Sequence, residues 1–399
     1  MLTFKKTLLF TTLLSVSFLF NACGNDHDTK FGENIQTPTN QPFSNGEKEF
    51  VYDLFNTEYL WYDEVASDVD YTAYETPQSL VTALSVPQDH WSFAVTSNEY
   101  EDIVNQKTQG FGFSYVDDFH IYYVRIGSPA YNKLLRGDQI LEVNGSPASF
   151  ENISKAAKNL RETTTFKVLR GSNEVNVDVV PKMYTYKVTM GKIINGNIGY
   201  LSYDEFTGSS VAEFEAEFTK FKDAGIKEII VDLRYNGGGS VEVASILLEN
   251  FTNRHAGKRQ FYLDWNANYK RKNVDFYFSN EIEPNDLNMQ RVVFLVSRGT
   301  ASASELVISA LKPYLGDANV VTIGDYTHGK SVGMEGKSYG KNYYFLINFY
   351  VKNNLGSTSS ANGIAPTCVA DDDITHLRGD PKEAMLKSAI HYIDTGNCL

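Results

Sequence analysis

The sequence predicts a multi-domain α/β protein with a mostly parallel sheet covered by helices, and three features lead to that class. Strand-like runs at 197–203, 228–234, 291–296 and 319–324 alternate with helical stretches at 211–222, 241–250 and 303–311, the pattern of repeated βα units. Runs such as Arg291-Val-Val-Phe-Leu-Val296 are continuously apolar and β-branched, as strands buried on both faces are. Residues 105–182 instead carry closely spaced glycine turns between short strand-like runs, which indicates a separate β-domain. With 399 residues, 42% of them apolar, the chain can fill two or three such units.

The elements follow in order. Met1 to Lys6 is short and basic, and residues 7–20 form an apolar run of 14. That run is too short for a stable membrane span, so residues 1–22 read as an export signal. Residues 23–46, rich in Asn, Thr, Pro and Gly, read as a flexible tether. An amphipathic segment at 50–62, a second at 76–84 and Asp89-His-Trp-Ser-Phe93 outline a small helical domain over 47–104. Its aromatic stripe is read as core packing.

In the β-domain, Gly110-Phe-Gly-Phe113 precedes a tyrosine-rich strand at 121–125. Gly137-Asp138 makes a tight turn before a strand at 139–143, and Asn144-Gly145 is a strong hairpin signal. Residues 183–399 then hold the βα repeats. There, 197–203 is a strand by its alternation, and Phe214, Phe218 and Phe221 fall at helical spacing in the stretch after it.

Three stretches of that last region carry chemistry. Ser302, in Arg298-Gly-Thr-Ala-Ser-Ala-Ser-Glu305, lies where a buried strand turns into a helix, so its side chain and the first free helix N–H groups project to one spot. Lys330, in Thr-His-Gly-Lys, is delivered by the loop after the 319–324 strand. A buried lysine loses charge by desolvation and can serve as a general base for a serine without any histidine. Tyr235-Asn-Gly-Gly-Gly-Ser240 ends a third buried strand, the end at which α/β folds place their sites. Its glycines can present backbone N–H groups to an oxyanion. A flexible turn is the plain alternative for the glycine run, and close helix packing for the Ser/Ala run.

Together, Asp232-Leu-Arg-Tyr-Asn-Gly-Gly-Gly239, Gly299-Thr-Ala-Ser-Ala-Ser-Glu305 and Gly324-Asp-Tyr-Thr-His-Gly-Lys330 resemble the three core motifs of the C-terminal processing peptidases. These are tail-specific serine–lysine proteases with a tricorn-type, ClpP/crotonase-like core. The resemblance runs from about Phe50 to the C-terminus. It implies Ser302 as nucleophile, Lys330 as general base, and Ala303 and Gly239 as oxyanion donors. The 105–182 segment resembles a PDZ domain, in which Gly110, Phe111, Gly112 and Phe113 would offer N–H groups to a peptide's terminal carboxylate beside an open strand edge. A spacer or gate is the other reading of that module. The 47–104 segment is similar to the helical domain that precedes the PDZ module in related Bacteroidetes-type proteins.

Many family members carry glutamine four residues after the lysine, where this chain has Met334. The orienting group for Lys330 would then be Ser331, Thr327 or His328, or be absent. His328 is read as a neutral loop histidine, and Glu305 as serving the N-terminus of the helix after Ser302. Asn21-Ala-Cys23 resembles a bacterial lipoprotein signal, with Cys23 lipidated and the protein held at the cell envelope, in the periplasm or at the outer membrane. Ordinary secretion with a free Cys23 is the alternative. The other two cysteines, Cys368 and Cys398, are either bonded or two free thiols.

No Cys/His cluster has metal-ligand spacing, no cofactor is implied, and Asp371-Asp-Asp373 reads as a solvated acidic turn. Loss of Lys5 and Lys6 with the signal takes the formal charge from −13 to −15, which weighs against nucleic acid as a partner. The expected substrate is a polypeptide with an exposed C-terminal tail, and the expected activity is that of an exported serine endopeptidase. A catalytically inactive peptide-binding lipoprotein on the same scaffold is the second reading. A crotonase-type acyl-CoA enzyme ranks last, having no use for a peptide module or an export signal.

Overall fold

The computed structural model describes residues 43–252, 254–281, 285–358 and 361–399. The export signal, most of the tether and Cys23 lie outside them. A six-stranded sheet runs in the order Thr189–Ile194, Ile198–Tyr203, Glu228–Asp232, Val292–Val296, Val320–Gly324, Cys368–Val369. The first pair is antiparallel and the rest are parallel. Side chains alternate across each strand, so neighbours in sequence feed two different cores. Leu201, Val231, Phe294 and Val296 pack under the helices Ser210–Asp223, Val241–Phe251 and Ala303–Leu315. Tyr200, Ile230, Val293 and Leu295 pack under Ala384–Thr395 with Met385, Leu386 and Ala389. Burial on both faces is why these strands read as unbroken apolar runs.

The β-domain closes on its own core of Phe111, Ile121, Leu134, Ile140, Ile153, Phe166 and Val168. Its first strand, Lys107–Gly110, returns to pair with Lys182–Thr185. Asn144 and Gly145 have φ of 50° and 78°, the two positive values that a tight hairpin between Gln139–Val143 and Ser146–Pro147 requires.

A second sheet has no counterpart in the sequence reading. It runs Phe93–Thr96, Asn342–Asn353, Arg259–Trp265, Val274–Tyr277, with Val332–Tyr339 also paired to Asn342–Asn353. The N-terminal helices Asn45–Thr57 and Pro77–Leu84 close no separate core. Val51, Phe55, Tyr59, Leu80 and Val81 share one cluster with Val332, Met334, Phe345 and Ile347. The N-terminal segment is thus one wall of a core whose other wall lies at the far end of the chain.

Two further expectations are resolved. Cys368 and Cys398 are bonded, with an S–S distance of 2.02 Å. The reading of 371–373 as a solvated turn fails at Asp372, whose carboxylate accepts from Arg234 Nη1 at 2.6 Å and also from Arg136 and the Tyr235 hydroxyl. Arg234 is fully buried and also pairs with Asp232 at 2.7 Å and Glu383 at 2.8 Å. A buried guanidinium needs that many acceptors, and Asp372 is one of them.

Candidate active site

Ser302 follows strand Val292–Val296 and is the N-cap of helix Ala303–Leu315, with φ 57° and ψ −115°. That conformation is sparsely populated for a residue with a side chain and costs about 1–3 kcal/mol, so the surroundings must hold it. Several groups do. Asn236 O accepts the Ala301 N–H at 3.1 Å and the Ser304 hydroxyl at 2.9 Å, while Leu233 O accepts the Thr300 hydroxyl at 2.8 Å. The loop after Glu228–Asp232 is thereby laced to the turn that carries the serine.

The glycine loop needs its glycines. At Gly238 (φ 110°) an added Cβ would meet Ser302 Cβ at 2.8 Å and the Ala303 nitrogen at 3.0 Å. At Gly239 (φ 138°) it would meet Phe206 O at 2.3 Å. The Gly238 N–H is already donated to Asn236 Oδ1 at 2.8 Å. The loop therefore lies against the serine turn with Ala303 buried beneath it, as close approach of two backbones demands.

Glu305 does more than the sequence reading assigned to it. Its Oε2 accepts the Ser302 N–H at 2.9 Å, as expected for a residue in the first helical turn. The same oxygen accepts the Lys330 N–H at 2.9 Å, and Oε1 accepts the Gly329 N–H at 2.7 Å and the Thr327 hydroxyl at 2.5 Å. One fully buried carboxylate thus ties the serine turn to the lysine loop. Burial raises its pKa, and these hydrogen bonds work against that rise.

Lys330 is buried, and burial lowers its pKa from 10.5 to about 8, opposed by the charges of Asp89 and Glu305. Its side chain and Ser302 line one narrow cavity of about 10 Å³ with Val241, Leu306, Met334 and Phe349, room for about one water. Met334 is buried in the apolar cluster shared with the N-terminal helices, and its thioether cannot supply the amide of a glutamine. Of the three groups considered for orienting Lys330, Thr327 is engaged by Glu305. His328 is held below the ordinary imidazole range by burial and by Lys330, and its ring lies 3.5 Å from Trp91 Nε1. Trp91 and Asp89 reach the site from the N-terminal segment, which sequence reading had treated as packing alone.

The structure groups Ser302, Ala303, Lys330 and Gly239 at one place. It puts Gly110, Phe111, Gly112 and Phe113 elsewhere, in the β-domain. Phe111 is buried in that domain's core and packs edge-on against Phe166 at 4.9 Å, so it faces inward. Gly112 (φ 84°) is required by Ser128, whose Cβ would lie 2.2 Å from an added side chain. Strand Phe113–Tyr115 pairs only with Ile121–Val124 among the described residues. A larger cavity of about 630 Å³ lies between the β-domain and the core, lined by Ser114, Tyr122 and Arg125 on one side and Gly237, Ser297 and Arg298 on the other. Among the described residues no group of acidic, histidine or cysteine side chains could hold a metal ion.

The model of peptidase family S41 matches residues 197–370, and that of the S41 N-terminal domain matches residues 46–93, together more than half of the chain. The chain belongs to peptidase family S41. A probable CtpA-like serine protease of Staphylococcus aureus is 27% identical over 71% of this chain and 56% of its own length. The carboxy-terminal processing protease CtpA of Bacillus subtilis is 26% identical over 66% of this chain and 56% of its own length. The chain therefore spans about half the length of these S41 relatives. A putative S41 protease from Bacteroides fragilis superposes with a TM-score of 0.71 at 24% identity, covering 87% of this chain and 97% of the other. A photosystem II D1 C-terminal processing protease superposes with a TM-score of 0.51 at 17% identity, covering 86% and 97%. Both share this α/β fold.

Proposed function

We propose that this S41 chain is an exported serine endopeptidase that hydrolyses peptide bonds near the C-terminal tails of protein substrates, with Ser302 as nucleophile and Lys330 as base. The observation that carries this reading is the shared cavity of Ser302 and a lysine whose pKa is brought down to about 8 by burial. A base poised near the working pH is what proton abstraction from a serine needs. The neutral amine takes the Ser302 proton as Oγ attacks the scissile carbonyl. The tetrahedral oxyanion meets the N–H groups of Ala303 and Gly239, Gly238 being already engaged by Asn236. The lysine returns the proton to the leaving amine, and water then hydrolyses the acyl-enzyme.

The substrate tail is taken by the PDZ-like module, on the unpaired edge of Phe113–Tyr115 with its carboxylate at Gly110, Phe111, Gly112 and Phe113. The cavity between module and core is the path from tail to cleft. Export with a lipid anchor at Cys23, at the cell envelope, is supported by the Cys368–Cys398 bond, since disulfides persist in oxidising compartments.

The test is hydrolysis of a folded reporter bearing an unstructured tail. The full chain should cleave it and Ser302→Ala should not, while Ser302→Ala still binds the tail. Equal cleavage by both proteins would remove the assignment, and tail binding without cleavage by either would leave a peptide-binding protein.

A further inference from the structure

Arginines that are buried or nearly so close on carboxylates in this chain. Arg234 pairs with Asp232 at 2.7 Å and Glu383 at 2.8 Å, Arg378 with Asp204 at 2.7 Å, and Arg136 with Asp372. Arg125 does not. It is only 8% exposed, it lines the cavity of about 630 Å³ between the β-domain and the core, and among the described residues it forms no ion pair. Its guanidinium lies 4.1 Å over the Tyr186 ring, a stack that leaves the N–H groups along the edge of the fork free to meet an acceptor. The acids around the cavity are engaged elsewhere. Asp204 accepts from Arg378 and from the Tyr123 hydroxyl at 2.9 Å, Asp372 accepts from Arg234 at 2.6 Å, Asp325 faces Arg298 at 3.7 Å, and Asp371 is exposed. Glu205 accepts the Tyr186 hydroxyl at 3.0 Å, and burial pushes its carboxyl up to about 7 against the pull of Arg125 and that hydroxyl, so it is a weak counter-ion. The turn after Arg125 holds a second unused group. The Ser128 N–H donates to Arg125 O at 3.1 Å, while the Ser128 hydroxyl is buried without a hydrogen-bond partner. Both residues border Gly112, whose O accepts the Arg125 N–H at 2.8 Å and where an added Cβ would lie 2.7 Å from Ser128 Oγ.

We propose that Arg125 is the carboxylate-binding residue of the cavity between the β-domain and the core, pairing through its guanidinium fork with a carboxylate of the polypeptide that enters there. The inference rests on the reading of this chain as a tail-directed peptidase, and it adds a charged side chain to a recognition site otherwise built of backbone N–H groups. A buried guanidinium is costly to leave without an anion, and a ligand that brings one relieves that cost. The forked pairing of arginine with a carboxylate is charge-assisted and directional, and it gains strength where water is partly excluded. Two groups of a polypeptide have this chemistry: its terminal carboxylate and the side chain of an aspartate or glutamate. Tyr122, Tyr123, Tyr186 and Tyr235 line the same cavity and offer ring faces to the residues on either side of that carboxylate. A neutral stretch of chain can use the rings but not the fork, so the cavity selects for acid.

The test uses the full chain carrying Ser302→Ala, so that no probe is consumed, and reads the binding of fluorescent peptides by anisotropy. The probes share one unstructured, otherwise neutral sequence with a single glutamate, moved through each position in turn. Each is made as the free acid, as its C-terminal amide, and with glutamine in place of the glutamate. The parent should bind the free acid about tenfold or more tighter than one of the two neutralised forms. Adding Arg125→Gln should erase that ratio and leave the affinity of the neutralised form unchanged. A ratio lost against the amide assigns the terminal carboxylate, and one lost against the glutamine form assigns an acidic side chain. A ratio that survives Arg125→Gln overturns the proposal, as does a parent that binds charged and neutralised probes alike. Equal weakening of every probe also overturns it, because a structural prop would do that. If Arg125→Gln fails to fold, Arg125→Lys decides: a point charge in place of the fork should cut the ratio about threefold or more, and an intact ratio overturns the proposal. A wild-type chain that leaves the tailed reporter uncut removes the peptidase reading alone, since the binding ratio is read without cleavage.

Discussion

The two halves of the candidate dyad are held in opposite ways. Ser302 sits in a strained turn whose neighbours Thr300, Ala301 and Ser304 bond to Asn236 and Leu233 and whose own N–H bonds to Glu305. Lys330 is tied by its backbone N–H, while its buried side chain lines a narrow cavity with Val241, Leu306, Met334 and Phe349. The serine is placed by geometry, and the lysine is tuned by dryness. A group fixed by hydrogen bonds should respond sharply to loss of one partner, whereas a group tuned by burial should respond to polarity and pH.

The largest expected effect comes from breaking the base. Lys330→Met should lower kcat by about 10³-fold or more, read by hydrolysis of the tailed reporter. The same variant should be more stable than wild type at pH 7, because burying the charge costs on the order of 3 kcal/mol for a drop in pKa from 10.5 to about 8. The sign follows from linkage. Between pH 8 and 10.5 the unfolded chain holds a proton that the folded chain lacks, so wild-type stability rises with pH across that window. The advantage of Lys330→Met in thermal melts should therefore shrink from pH 8 to 10.5. No stability gain at pH 7 would mean that the amine is solvated.

Next is the link between the halves. Glu305→Gln replaces one acceptor oxygen with an NH₂ that faces donors, so kcat should fall about 10²-fold and stability by about 1–3 kcal/mol, measured by rate and denaturant midpoint. Rates within twofold of wild type would show that the two loops hold their places unaided. A smaller effect, confined to stability, is expected of Cys398→Ser, which should cost about 2–4 kcal/mol and leave kcat unchanged. The smallest comes from Met334→Gln. Placing an amide beside Lys330 should change kcat by less than about threefold if burial already places the amine, and a gain of tenfold would show that hydrogen-bonded placement is what this site lacks.

Much of the candidate site's placement was legible because its parts lie at strand ends with local signatures. The serine turn, the lysine loop and the glycine run each follow a buried apolar strand, and Asn144-Gly145 fixed a hairpin by backbone preference alone. Glu305 was half legible: its capping of Ser302 is a three-residue relation, but its grip on Gly329 and Lys330 spans 24 and 25 positions. Asp372 was misread because its partners Arg234 and Arg136 are 138 and 236 residues away, and no local pattern tells a paired carboxylate from a solvated one. The pairing of Phe93–Thr96 with Asn342–Asn353 was missed for the same reason. Chemistry carried on short loops is visible in sequence, and the long-range contacts that hold those loops are not.

Strand Asn342–Asn353 has a consequence for how the molecule is made. It pairs with Phe93–Thr96, Arg259–Trp265 and Val332–Tyr339, and it closes the apolar cluster of the N-terminal helices. During synthesis those helices emerge first and must wait about 250 residues for the surface that covers them, a slow, non-local closure. A chain interrupted before that strand has neither a finished cleft wall nor a covered N-terminal face. The wiring thus doubles as a quality gate: a half-made copy of this S41 chain lacks a finished cleft by its own topology and displays the apolar surface that chaperones and proteases recognise.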